Sequence, residues 1–148
     1  MTRILIVDDH EMVRRGLKQI LSEAFPAAGI EEADTSETAL GAIASTPWSL
    51  VLLDVNIPGR SGLEVLEDAK RLRPGMPVLV VSAYPEEELA VRCIRLGAAG
   101  YLTKNTASGE LVAAVHKALA GKAGRGTVVE LTVSLASVLV AKARRALQ

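Results

Sequence analysis

Leu50-Val51-Leu52-Leu53-Asp54-Val55-Asn56-Ile57-Pro58-Gly59-Arg60-Ser61-Gly62 opens on four apolar residues and closes on turn formers. A continuous apolar run this short suits a strand buried on both faces of a parallel sheet. Asp54 stands where the run ends, and Pro58, Gly59 and Gly62 then break the chain. A lone carboxylate at the end of a buried strand is either a helix cap or a reactive group. The other strands have to decide between these.

Working outward, Ile4 to Val7 reads as a first buried strand that runs into Asp8 and Asp9. From Glu11 the period becomes helical, with Met12, Val13, Leu17, Ile20, Leu21 and Ala24 on one face and Arg14, Arg15 and Lys18 away from it. Phe25-Pro26 stops that helix. Ile30 to Thr35 is a weaker, more polar strand suited to a sheet edge, and Ser36 is placed to cap a short helix closed by Thr46-Pro47. After the central stretch, Ser61-Gly62-Leu63-Glu64 fits a capping box, and Leu63, Leu66, Ala69 and Leu72 make an apolar stripe.

Val78 to Val81 is a further apolar strand ending at Ser82. Pro85 suits a first helical position, and the helix after it ends at Gly97 as a left-handed cap. Gly100 to Thr103 is the last strand, with Lys104 at its end. Thr106 or Ser108 caps a final helix with Leu111, Val112, Val115 and Leu119 inward. Strands alternating with helices of this length imply a doubly wound α/β fold with a parallel sheet and helices on both faces.

The chain has 148 residues with 49% hydrophobic and 23% charged, a folded rather than a disordered composition. Aromatic residues make up 3%, so Val, Leu, Ile and Ala must build the core. Seventeen basic residues balance 17 acidic ones, which gives no overall pull toward nucleic acid or an anionic membrane. The single Cys93 excludes an intrachain disulfide and fits a reducing compartment. The apolar start is too short for a signal core or a membrane span, and a cytoplasmic location is expected.

In an open parallel sheet, ligands bind at the carboxyl ends of the strands, where the strand order reverses. Asp8, Asp9, Asp54, Ser82 and Lys104 all stand at such ends. Three carboxylates together repel unless one is protonated or a cation joins them. Their hard oxygens suit Mg²⁺ sharing a phosphate, Lys104 suits an anionic oxygen, and Ser82 offers a hydroxyl donor. A carboxylate can also act as a nucleophile and form an aspartyl phosphate, and Asp54 is the best placed to do so. Singly, each of these residues has a bland reading as a cap, a turn residue or a solvated strand-end lysine; the constellation favours the sharper one. His10 is expected as an exposed first-turn residue rather than a ligand, His116 as a surface residue, and Trp48 as packing beside the third strand.

At this point the chain resembles the receiver domain of bacterial two-component response regulators, and most closely the NarL-type subgroup. The matching motifs are Ile6-Val7-Asp8-Asp9-His10, Leu53-Asp54-Val55-Asn56-Ile57-Pro58-Gly59 with Gly62-Leu63, Val80-Val81-Ser82-Ala83 and Gly97-Ala98-Ala99-Gly100-Tyr101-Leu102-Thr103-Lys104. The resemblance covers residue 3 to about residue 120. It implies a flavodoxin-like sheet of order 2-1-3-4-5, with Asp54 taking a phosphoryl group from a histidine kinase. It implies that Asp9, Asp54 and the Asn56 carbonyl ligate Mg²⁺, and that Asp8 acts through water. Lys104 and Ser82 would contact the phosphoryl oxygens, and Ser82 and Tyr101 would form the switch pair. Such a domain is a switch with assisted self-dephosphorylation, not a turnover enzyme. Asn105 departs from the proline that many receivers carry after the lysine, so a cis bond is not assumed there. Tyr84 is expected at the site mouth, where it would slow phosphoryl hydrolysis.

Two other classes are disfavoured. A haloacid-type phosphatase needs an acid where Asn56 stands, and a flavodoxin-like cofactor binder needs a phosphate loop where Asp8-Asp9-His10 stands. Residues 1–121 are read as the receiver and 122–148 as a linker and C-terminal helix, with no second domain. The helix face would carry Leu131, Leu135, Val138, Leu139 and Ala143. The expected role is the receiver part of a transcriptional regulator, with a complete single-domain regulator acting through protein contacts as the alternative. A homodimer through the last receiver helices or the C-terminal helix is a further expectation. No DNA or membrane contact is expected of these residues.

Overall fold

The computed structural model describes residues 1–83, 87–104 and 108–121. Five strands and five helices alternate: β1 Arg3–Val7, α1 Glu11–Ala24, β2 Gly29–Ala33, α2 Ser36–Ser45, β3 Leu50–Leu53, α3 Gly62–Leu72, β4 Val78–Ser82, α4 Glu87–Arg95, β5 Gly100–Thr103 and α5 Ser108–Gly121. The strands form one parallel sheet of order β2-β1-β3-β4-β5, as the sequence resemblance implied.

The all-apolar runs work as two interleaved sets, because successive strand side chains point to opposite faces. Leu5, Val7, Val51, Leu53, Val78 and Val80 join one core with residues of α2, α3 and α4. Ile4, Ile6, Leu50, Leu52, Leu79 and Val81 join the other with Leu21 of α1 and with Leu111, Val115 and Ala118 of α5. A strand buried on both faces needs no polar positions, which is why β3 has none. β2 has the two exposed residues Glu31 and Glu32 and lies at the sheet edge.

Several local expectations are corrected. Met12 is 80% exposed rather than inward, and Leu72 is exposed while Val65 is fully buried. β2 stops at Ala33, and Thr35 rather than Ser36 caps α2 through a capping box with Thr38. Ser36 is buried and serves another purpose, described below. Ser61 does cap α3 by accepting from the Leu63 amide at 3.3 Å. The predicted capping box is not formed: Ser61 accepts from the second helical residue rather than from the Glu64 amide, and the Glu64 side chain takes the Arg60 guanidinium. Gly97 has the expected left-handed backbone, with φ of 105°. Trp48 is buried, and its ring nitrogen donates to the Ala42 carbonyl at 3.0 Å. His116 is exposed and its ring lies tilted against Phe25, with centroids 4.6 Å apart. Among the described residues no helix is long and apolar enough to cross a membrane. The expectations for Tyr84, Pro85, Asn105, Thr106 and residues 122–148 lie outside the described residues.

Candidate functional site

The carboxyl ends of β1 and β3 lie side by side, since Val7 is in register with Leu53. This places Asp8 beside Asp54, and both are only 2% exposed. Two buried carboxylates side by side need compensation, and Lys104 supplies it from the end of β5. Its Nζ lies 2.8 Å from Asp8 Oδ2 and 2.9 Å from Asp54 Oδ2. Burial alone would lower the lysine pKa, but hydrogen bonds to Asp8 and Asp54, with their charges, outweigh it and raise the pKa. The ammonium is therefore held in its charged form.

The remaining oxygens are also engaged. Asp54 Oδ1 accepts from the Asn56 amide at 2.9 Å, which fixes the carboxylate's rotation and bends the chain at the start of the β3–α3 loop. Asp8 Oδ1 accepts from the His10 amide at 2.8 Å. The His10 ring nitrogen Nδ1 lies 2.9 Å from Asp8 Oδ1 and 3.0 Å from Asp9 Oδ1. Arg14 reaches back from α1 and donates to the Asp8 carbonyl at 2.7 Å. One potential ligand atom from each of Asp8, Asp9, His10 and Asp54 falls within 4.8 Å of all the others.

Opposite ligand atoms on an octahedral ion with bonds of about 2.1 Å lie about 4.2 Å apart, so this donor set can close on one Mg²⁺ with little movement. Lys104, bridging Asp8 and Asp54, demonstrates that these carboxylates already converge on positive charge. The donor set thus fits the ion that the fold family implies. Asp9, Asp54 and the Asn56 carbonyl would hold it, with Asp8 behind a water.

Ser82 is fully buried at the end of β4, two residues beyond Val80, which is in register with Leu53. The Ser82 carbonyl accepts from the Lys104 amide at 2.8 Å, so the serine and the lysine are tied across β4 and β5. Tyr101 is buried, at 3% exposure, and packs in the core beneath α4. The sequence residues Asp8, Asp9, Asp54 and Lys104 are brought together directly; Ser82 and Tyr101 lie on the adjoining strands.

Three residues at or next to the site were not read as site residues from the sequence. His10 touches both acids although its side chain is 59% exposed. Arg14, placed outward by the sequence reading, holds the Asp8 backbone. Ser36 clamps the β3–α3 loop: its amide donates to the Pro58 carbonyl at 3.1 Å, and its hydroxyl accepts from the Arg60 amide at 2.8 Å. The phase of α1, with Arg14 one heptad before the buried Leu21, was the available signal for Arg14.

The doubly wound sheet thus gathers a buried acid pair, a third acid and a strand-end lysine at one edge, the arrangement of a receiver domain. Residues 4–116 match the response regulator receiver domain model, and the chain belongs to that family. It is 34% identical over 122 residues to the response regulator GacA of Pseudomonas viridiflava, covering 82% of this chain and 57% of that protein. It is 36% identical over 141 residues to the nitrate/nitrite response regulator NarL of Escherichia coli K12, covering 95% of this chain and 62% of that one. The chain therefore spans about 57–62% of the length of these relatives. Among solved structures, a CheY-like receiver domain protein from Methanospirillum hungatei JF-1 superposes with a TM-score of 0.77 at 34% identity. That match covers 82% of this chain and 96% of the other.

Proposed function

We propose that this chain is the phosphoacceptor part of a two-component transcriptional regulator, with Asp54 as the residue that a histidine kinase phosphorylates in the presence of Mg²⁺. The observation that carries this reading is the placement of Asp54. It is buried, flanked by Asp8 and Asp9 on one side, and held by Lys104 at 2.9 Å on the other.

The Asn56 amide occupies Asp54 Oδ1, so Oδ2 is the oxygen presented toward Lys104 and available to attack phosphorus. The new oxygen–phosphorus bond forms as the phosphorus–nitrogen bond of the donor phosphohistidine breaks, and the imidazole leaves. Mg²⁺, when bound, would neutralise charge on the phosphoryl oxygens. Lys104 would follow the phosphoryl group as a mobile point charge, and the Ser82 hydroxyl would donate to it. Lys104 is hydrogen-bonded to Ser82 through the backbone and directly follows β5, which carries Tyr101, so the new charge has a short path into that strand. The same residues support later hydrolysis of the acyl phosphate, which makes the domain a switch rather than a turnover enzyme. GacA and NarL are named as response regulators, and this chain spans 57% and 62% of their lengths, which supports its reading as the receiver part of a longer regulator.

The test is labelling with acetyl phosphate of the wild type and of Asp54→Asn, each with and without Mg²⁺. Wild-type protein should be labelled only with Mg²⁺ and the variant not at all; equal labelling of the two would overturn the reading.

A further inference from the structure

His10 is not used by the function proposed above, yet it is built into the site. It caps α1 with an extended backbone, φ −96° and ψ 110°, and its own cap position makes no side-chain hydrogen bond to the helix. Its amide is instead pinned to Asp8 Oδ1. That bond turns the ring back over the acids. Nδ1 comes to rest 2.9 Å from Asp8 Oδ1 and 3.0 Å from Asp9 Oδ1.

Adjacent ligand atoms on a six-coordinate ion with bonds of about 2.1 Å lie about 3.0 Å apart. The 3.0 Å separation from Asp9 Oδ1 has the length of such an edge, and the 2.9 Å contact with Asp8 Oδ1 is a hydrogen bond that an ion entering between Nδ1 and Asp9 would replace. The inner side of the pocket is taken by Lys104, which sits on Asp8 Oδ2 and Asp54 Oδ2. The outer side carries Asp9, 30% exposed, and His10, 59% exposed, where a hydrated ion can enter. An imidazole changes the chemistry of an all-oxygen site. Mg²⁺ gains little from a nitrogen ligand, whereas Mn²⁺, Co²⁺ and Ni²⁺ gain increasingly and Zn²⁺ also takes imidazole readily.

We propose that His10 Nδ1 is an additional ligand of the Asp8–Asp9–Asp54 pocket and makes it prefer a nitrogen-binding divalent ion, of the Mn²⁺ to Zn²⁺ class, over Mg²⁺. The inference rests on the reading of that pocket as a divalent-cation site. It adds the selectivity of the site and the residue that sets it.

The experiment uses the full chain, with calorimetric titration of Ni²⁺ and of Mg²⁺ into wild type, His10→Gln and Asp9→Asn. Mn²⁺-loaded wild type and His10→Gln are then compared by electron spin-echo modulation, which reads nitrogen bound to the ion. The sequence contains two histidines, and the other, His116 on α5, packs at a tilt against Phe25 at the end of α1, so loss of the nitrogen signal in His10→Gln identifies the ligand. Losing an outer-shell partner of a ligand already weakens metal binding about tenfold or more, so losing the ligand itself should weaken Ni²⁺ by at least that factor. Mg²⁺ affinity of His10→Gln should stay near that of the wild type, and Asp9→Asn should weaken both ions. Unchanged Ni²⁺ affinity in His10→Gln, or the absence of nitrogen modulation in the wild type, overturns the assignment. If Mg²⁺ binds the wild type and the nitrogen signal is missing, only the role of His10 falls. If neither ion binds the wild type, the pocket reading falls first and the His10 assignment with it.

Discussion

Lys104 is the residue on which the charge balance of the strand ends depends. Its ammonium stands within 2.9 Å of two carboxylates that are each only 2% exposed. Removing one partner of a buried pair costs about 3–5 kcal/mol, because the other charge is left uncompensated, whereas a solvated pair is worth about 0–1 kcal/mol. The lysine side chain is 16% exposed, so Lys104→Met should fall between these limits, at a loss of about 1–3 kcal/mol in the absence of divalent ions. Added Mg²⁺ should restore most of that loss, since it supplies the missing positive charge to the same oxygens. Thermal melts of wild type and Lys104→Met with and without Mg²⁺ check this; a variant that Mg²⁺ does not rescue would contradict it. Asp8, Asp9, Asp54 and Lys104 were legible in the sequence because each ends an apolar run, and a parallel sheet gathers such ends at one edge. His10 was not legible in the same way. Its contact depends on how one turn after β1 directs a side chain, and residue spacing does not encode that direction.

Between residue and fold, the β3–α3 loop is the element that decides where the Asn56 carbonyl sits. It is gripped from two sides. Ser36 at the start of α2 holds Pro58 and Arg60, and Arg60 in turn pairs with Asp68 on α3 at 2.6 Å. Gly59 turns the loop with φ of 104°, a backbone that L side chains rarely adopt. Gly62, the first residue of α3, packs so close that a Cβ there would overlap the backbone of Val55. Gly62→Ala must therefore push the loop outward. A loss of about 1–3 kcal/mol in urea unfolding is expected from such overpacking, together with weaker Mg²⁺ binding. Gly41, exposed within α2, is the contrasting case, since a Cβ there meets nothing within 4 Å. Gly41→Ala should stabilise by about 0.5–1 kcal/mol and leave Mg²⁺ binding alone. Equal Mg²⁺ affinity in the two variants would argue against the loop as the coupling element. Strand identities were readable because burial on both faces leaves an uninterrupted apolar run. Helix faces were readable less well. Met12 lies about 140° round α1 from Leu17, while Arg14 lies only about 20° from Leu21. Hydrophobicity alone put Met12 inside, and helical phase puts Arg14 there.

At the scale of the whole molecule, the sheet separates two cores, and Cys93 reports on the one beneath α2, α3 and α4. The thiol is fully buried against that core, and burial pushes its pKa up from 9.0 to about 11. Two consequences follow from one shift. At pH 8 the folded protein carries on the order of a hundredfold less thiolate than a free cysteine, so alkylation should be at least that much slower until α4 detaches. The second consequence concerns stability. Above pH 9.0 the unfolded thiol releases its proton while the folded one keeps it, so the unfolded state binds fewer protons and stability falls as pH rises toward about 11. Two lysines act in the same alkaline range. Lys104, with a raised pKa, contributes stability below its ordinary 10.5 that is lost as pH climbs through its folded value. Lys70 is lowered by burial, with its ammonium donating to the Pro74 and Met76 carbonyls, and it works in the opposite direction. Cys93→Ala separates these contributions, because both lysines are common to the variant and the wild type. Its packing loss should be a constant offset, whereas the wild type should lose about 1 kcal/mol relative to it between pH 8 and pH 10. Urea unfolding of the two proteins across that range decides the matter. A stability difference that does not change with pH would mean that the thiol titrates alike in both states, and that its burial does not hold the proton on.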